Sequence, residues 1–400
     1  YSTTTGFANV YIGTQAGYYG TSAMENIAIG NNSQQGVSGQ TTGRYNVSLG
    51  VNALFGLTTG NHNFVVGSNA GYSITSAENN IIMGASAGDA LTSTSNTVII
   101  GRAAGTAINS ADANGTVLLG AYAGTAITDG QYNTMIGTLA GASITDGDSS
   151  TIVGYEAGYY ATGSNNTFVG KDAGKGGQTS APYSSGESNT AVGHDALSGF
   201  TTGGSNTAIG KNSGKSITSG ARNTILGVNA ASNLTTGTNN VVLGQSALST
   251  ADGLERENIV IGYYAAGGIN NDSAIRNVYT TIIGFQAGTA INSTDADGTV
   301  AIGYLAGTAI TSGQYNTAIG YEAGLAMTDN DGNTILGYQA FKTANSGEND
   351  NTVIGYLAGS AVDNVQNDNN VIVGRSAGTG GSGIMSGCIY IGSKAGENGH

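Results

Sequence analysis

The 400-residue sequence has one cysteine, one proline, no tryptophan and only three histidines. A lone Cys388 excludes an intrachain disulfide framework and a multi-cysteine metal site. Charge is scarce too: 12 basic against 25 acidic residues, 9 % of the chain, for a net charge of −13. With so few cations, a surface that tracks phosphates is excluded, and nucleic acid is not an expected partner. There is no run of 18 apolar residues, so a membrane-spanning helix is not expected, nor is membrane insertion. The first residues, from Tyr1, lack a basic segment followed by an apolar one, so a targeting signal is expected to have been removed or to lie outside the sequence. Low charge combined with many aliphatic residues is not the composition of a disordered chain. The 68 glycines fall well short of one in three, and with proline nearly missing, collagen is excluded.

What fills the sequence is a repeat whose unit reads NTAIGYEAG. Aligned on the glycine that follows its aliphatic pair, the repeat occurs 22 times from Gly13 to Gly392, and 11 of the 21 intervals are 17 residues long. The residue before this anchor glycine is aliphatic or Met in all 22 units, and the third residue after it is Ala in 20, with Ser33 and Ser213 as exceptions. A further apolar residue stands seven after the anchor, as at Ile74, Ile127, Ile310 and Met327, followed by Thr or Asn and a Gly/Asp/Asn turn. Short β-branched runs bounded by turn residues read as strands, and no helical periodicity competes. The expected fold is therefore all-β: a parallel β-solenoid, or β-roll, of about 22 coils with two short strands and two turns each, forming one continuous domain over residues 1–400. Stacking at roughly 4.8 Å per coil gives a rod on the order of 100 Å. Both ends stop in phase with the repeat and carry no polar caps, so the expectation is either a chain that continues at both ends or end-to-end stacking into a filament.

Each constant position has a physical reading. The anchor glycine bends the chain where a side chain would collide with neighbouring coils. The Ala position stays small because the coil is narrow. Four residues before the anchor stands Asn in 16 units, including Asn9, Asn26, Asn46, Asn133, Asn166, Asn316, Asn351 and Asn370. Stacked amides hydrogen-bond along the axis, so these form a structural ladder. The aliphatic residue before the anchor is expected to line the core. The next residue back is also largely apolar (Ala28, Val65, Ile82, Ile225, Ile335), and consecutive strand residues face opposite ways. A sheet apolar on both faces needs a partner, so a homo-oligomer around a common axis is expected, with three as the number of chains.

The NTAIGY-type units resemble the left-handed β-roll in the heads of trimeric autotransporter adhesins, and more closely the shafts of phage tail fibres and of bacterial surface fibres that end in a self-cleaving trimerisation chaperone. The resemblance runs from Gly13 to Gly396, although the coil here is longer than in the adhesin heads. It implies a homotrimeric, elongated fibre used for attachment outside the cell, at the cell surface or on a virion, and the expected class is structural and non-enzymatic.

Few residues suggest chemistry. His62, His194 and His400 are too far apart in the repeat for a triad or a zinc site. The glycine-rich stretch near Gly378 lacks the Lys and Ser/Thr of a phosphate loop. Acidic turns offer oxygen ligands for calcium at Asp112/Asn114, Asp295/Asp297, Asp329/Asp331 and Glu348/Asp350, but the same residues are ordinary turn formers; no cofactor is expected. Immediately after the anchor, Tyr155, Tyr263, Tyr304, Tyr321, Tyr338 and Tyr356 predict a ladder of rings that either stiffens the coil or contacts a glycan. Insertions at 34–43, 175–188 (with Pro182) and 267–278 mark variable loops where binding specificity is expected. Two alternatives stand beside the fibre: an ice- or crystal-binding face built on Thr75, Thr92, Thr128, Thr145, Thr218, Thr311 and Thr328, and a polysaccharide-cleaving solenoid.

Overall fold

A computed structural model describes residues 5–181, 183–251, 253, 255–268, 279–291, 296–379 and 383–397. They belong to two compact units, Tyr1–Thr202 and Gly203–His400. The first unit carries eleven three-residue strands, β1 (Val10–Ile12) to β11 (Thr190–Val192), and the second carries eleven more, β12 (Thr207–Ile209) to β22 (Ile389–Ile391). Within each unit every strand pairs in parallel with the next one along the chain, in register, so Thr317-Ala318-Ile319 lies against Thr334-Ile335-Leu336. This is the parallel β-solenoid expected from the repeat.

Each coil holds one strand rather than two. The second apolar site is a single buried residue within a turn, as at Ile74, Ile127 and Ile310. The chain there curves too sharply for a ladder of its own, yet its amides still bond to the next coil: Gly307 N–H donates to Ala323 C=O (3.0 Å) and Thr311 N–H to Thr328 C=O (2.8 Å). Backbone groups that would otherwise be buried without partners are thus paired for most of the circuit.

The faces of the strand are the reverse of the sequence expectation. Ile335, two before its anchor, is fully buried, whereas Leu336, one before it, is 46 % exposed. The same holds in the first unit, where Ile82 is buried and Met83 is 36 % exposed. The core is built from three inward ladders: the residue two before the anchor, the Ala three after it, and the apolar residue seven after it. Bulk is traded among them. Phe168 packs on Phe200 with ring centroids 5.6 Å apart, and the strand partner of Phe168 is the small Ala191. Where Ser33 breaks the Ala ladder, its hydroxyl meets the equally exceptional Ser48 at 2.8 Å.

The anchor glycines have φ between +126° and +144°. A Cβ on Gly67 would lie 2.5 Å from the carbonyl oxygen of Gly84, the anchor of the next coil. Two further residues in the 19-residue interval from Gly101 to Gly120 are taken up as a 3-10 turn, Ala111–Ala113, capped by Ser110. Of the insertions, 34–43 and 175–188 are described apart from Pro182, while 269–278 lies outside the described residues.

Candidate functional site

The asparagine ladder is internal. Asn46 donates its backbone N–H (2.9 Å) and its Nδ2 (3.2 Å) to Asn26 Oδ1, and its Nδ2 also reaches Gly60 C=O (2.9 Å). Asn26, Asn133, Asn166, Asn316, Asn351 and Asn370 are buried in the same way, and Asn9 partly so. Their hydrogen-bonding capacity is directed along the stack, which gives these side chains a structural role.

Tyr263, Tyr304, Tyr321, Tyr338 and Tyr356 come together in one stack in the second unit. Its continuity depends on Phe285, which a search for tyrosines alone passes over. Centroid separations are 5.3 Å from Tyr263 to Phe285 and from Phe285 to Tyr304, then 4.9, 5.1 and 5.1 Å to Tyr356. Arg375 lies over the last ring, 5.7 Å from its centroid. All six rings are roughly half exposed. Burial in the stack and the neighbouring Glu322 raise the pKa of the Tyr321 hydroxyl, while Lys342 and Gln339 hold Glu322 low. Tyr155 stands in the first unit beneath Lys171 and is not part of this stack.

The outer sheet face carries an apolar stripe one residue before the anchor along both units, beside a position three before it that is Thr in 10 of the 22 strands. Residues one and three before the anchor point outward, and Ile27, Ile29, Phe64, Ile81 and Met83 in the first unit, and Ile209, Leu226, Ile259 and Leu336 in the second, are substantially exposed.

The acidic turns serve mainly as acceptors for the backbone of an adjacent coil. Asp331 Oδ1 accepts from Gln314 N–H (2.8 Å), Asn114 Oδ1 from Ser95 N–H (2.7 Å), and Asp329 from Ser346 Oγ and Gly347 N–H (both 3.2 Å). Asp295 lies outside the described residues. One cluster that histidine spacing did not reveal is Asp172, His194 and Asp195, whose ligand atoms lie within 4.8 Å of one another. Both Lys171 and Lys175 pair with Asp172, however. Burial of Asp172 works to raise its pKa, but the two ammonium groups outweigh it and hold the carboxyl low. The carboxylate shared by this cluster is thus already paired with two ammonium groups.

The threonine array is likewise engaged. Thr75, Thr92, Thr218 and Thr311 donate the hydroxyl proton to a carbonyl of the next coil at 3.1–3.3 Å, as Thr328 does to Asn345 C=O, whereas Thr128 and Thr145 donate to the adjacent carboxylates of Asp129 and Asp146 (2.8 and 2.9 Å).

Glu348 differs from the other acids of these turns. It is fully buried; Oε2 accepts from Asn330 Nδ2 (2.7 Å) and Ser346 N–H (3.0 Å), and Oε1 has no hydrogen-bond partner among the described residues. Burial raises its pKa above the ordinary carboxylate value. A carboxyl with a raised folded pKa contributes stability below its unfolded pKa, and that contribution is lost as pH rises through the folded value. Glu348→Gln is therefore expected to flatten the pH dependence of second-unit melting between weakly acidic and neutral pH. At pH 7 it should raise stability, because the neutral amide avoids the cost of ionising a buried carboxyl. Melting curves of both proteins across that range check this, and parallel curves would refute it.

In the first unit a shallow open groove of about 730 Å³ crosses several coils, bordered by Asn52 and Asn69 on one side and by Tyr72, Asp89 and Thr106 on the other. The Tyr72 ring lies flat on Phe55, with centroids 4.8 Å apart and planes at 1°. These positions follow the repeat, two and five residues after the anchor, but their side chains vary from coil to coil, so the pattern did not mark them as a site. No family model matches the chain, and a comparison with curated proteins finds no match.

Proposed function

We propose that the chain is a structural fibre shaft that assembles as a homotrimer through its outer sheet face and serves attachment outside the cell. One observation carries this reading: the outward residue before the anchor is aliphatic or Met in every coil, giving each unit a continuous exposed apolar stripe. A soluble monomer rarely leaves so much contiguous apolar surface in water. A sheet three residues wide presents a narrow stripe, and three such stripes meeting around an axis would bury one another along their length. The polar remainder, rich in Asn, Thr, Ser and Tyr and poor in charge, suits a surface that meets other surfaces rather than one that turns over a substrate.

Sedimentation equilibrium tests the assembly, with a mass three times that of the chain as the expected result. Replacing Leu226 and Leu336 together by Asp should yield a folded monomer, because each side chain is nearly half exposed in the single chain and only the partner interface would bury the new charge. A wild-type monomer, or a trimer indifferent to the double substitution, would refute the proposal.

A further inference from the structure

We propose that the groove bordered by Asn52, Asn69, Tyr72 and Asp89 is a binding site for an uncharged saccharide. This deepens the attachment reading and rests on it. The Tyr72 ring, 38 % exposed and backed face to face by Phe55, presents a rigid flat apolar surface with a polar tip, which suits the C–H face of a pyranose. The opposite wall supplies directed hydrogen bonds. Asn32 Nδ2 donates to Asn52 Oδ1 (3.1 Å) and Asn52 Nδ2 to Asn69 Oδ1 (2.9 Å). This outer amide ladder ends there, because the next coil has Ser86 at the equivalent position. Asn69 Nδ2 is left with no partner among the described residues, two donors fixed in direction by the amides beneath it.

Asp89 follows Tyr72 by 17 residues in the same ladder, and its carboxylate has no partner among the described residues. A free carboxylate accepts two hydroxyl protons side by side, and charge-assisted bonds of this kind are the stronger sort. Oriented amide donors, a paired acceptor and a ring form a constellation for vicinal hydroxyls over an apolar face. The floor, Ser73 and Ala90, is small and leaves room for more than one sugar ring. Charge decides between saccharide classes. None of the residues lining the groove is cationic, Asp89 is anionic and the whole chain carries −13. Sialylated or sulfated chains would be repelled, whereas neutral hexose oligomers would not.

Saturation-transfer NMR on the full chain, using maltotriose, cellotriose, mannotriose and chitotriose with sialyllactose and a heparin tetrasaccharide as anionic comparisons, tests the assignment. At least one neutral trisaccharide should bind and both anionic ones should not. Tyr72→Ala should weaken binding by roughly tenfold, and Asp89→Asn, which keeps one acceptor, should weaken it by less. Unchanged melting of both variants confirms folding; should Tyr72→Ala unfold, Asp89→Asn decides alone. The proposal is overturned if no neutral sugar binds at millimolar concentration, if an anionic one binds instead, or if binding survives Tyr72→Ala and is lost with Tyr321→Ala, which would move the contact to the aromatic stack. Sedimentation of the same sample reads the assembly independently, so a trimer without sugar binding removes the groove and leaves the fibre standing.

Discussion

Gly227→Ala is expected to unfold a substantial part of the second unit, whereas Gly214→Ala, one coil earlier, should cost little. The two glycines occupy different turns of the coil. Gly227 has φ +141°, and a Cβ there would lie 2.5 Å from the carbonyl oxygen and 2.6 Å from the carbonyl carbon of Gly244. Neither atom is free to move, because the contact is with the backbone of the next coil, whose own amide Gly244 N–H is bonded to Leu226 C=O at 2.8 Å. Relief would require widening the spacing between coils, which lengthens hydrogen bonds around the circuit. Backbone strain of the order of 1–3 kcal/mol adds to an overpacking cost of similar size, so a loss of roughly 2–6 kcal/mol is expected. Gly214 has φ +55°, and a Cβ there would meet only the Cδ1 atoms of Ile217 and Ile225 at 3.1 Å. Those are ends of flexible side chains, and the chain already carries Ala231 and Ala266 at the same place in other coils with φ +45° and +48°. Urea denaturation of both variants checks the pair. Equal losses would mean that the anchor glycine is needed for conformation alone and not for the approach of the next coil.

The contrast also shows what the repeat revealed and what it did not. The period, the parallel stack, the glycine bend, the small Ala position and the amide ladder were legible because each recurs along the axis, and a residue that must stack on itself leaves the same letter in every unit. The direction of the strand side chains was not legible. Both the outer Leu336 and the inner Ile335 are apolar, so alternation of polarity, the usual guide to the buried face, carries no information here. A subtler signal was available: the inner position takes Ala, Ser, Phe and Tyr, because three inward ladders share one volume, whereas the outer position never shrinks to Ala. The second strand failed for a different reason, since one buried residue between turns satisfies an apolar pattern without forming a ladder. The aromatic stack was legible only in part because Phe285 replaces Tyr while keeping the ring. The groove was not legible at all. Its side chains are chosen coil by coil, so no letter recurs along the axis to mark them.

Asn333→Ala should destabilise the second unit nearly as much as the anchor substitution, and Asn333→Ser by clearly less. Asn333 donates its backbone N–H and Nδ2 to Asn316 Oδ1 (3.0 and 3.2 Å) and its Nδ2 to Glu348 C=O (2.8 Å), while its own Oδ1 accepts the N–H and Nδ2 of Asn351 (3.0 and 3.1 Å). Alanine keeps the backbone donor but strands the Asn351 N–H, one Nδ2 proton of Asn351 and the Glu348 carbonyl, all shut away from water. At about 1–3 kcal/mol for each buried group left unpaired, the sum is roughly 3 kcal/mol or more. Serine has a precedent within the chain: Ser150 stands in the ladder between Asn133 and Asn166, donating its N–H to Asn133 Oδ1 (2.9 Å) and accepting Asn166 N–H at Oγ (3.2 Å). A serine at 333 can therefore keep the amide of Asn351 paired and lose only the reach of the longer side chain. Because coils couple chiefly to their neighbours, the damage should appear first as local opening. Amide exchange at Asn351 should accelerate strongly in Asn333→Ala and modestly in Asn333→Ser, with the distant Asn223 and Asn240 amides less affected in both. Equal acceleration by the two substitutions would show that side-chain volume, not the hydrogen-bonded column, fixes the spacing of the coils.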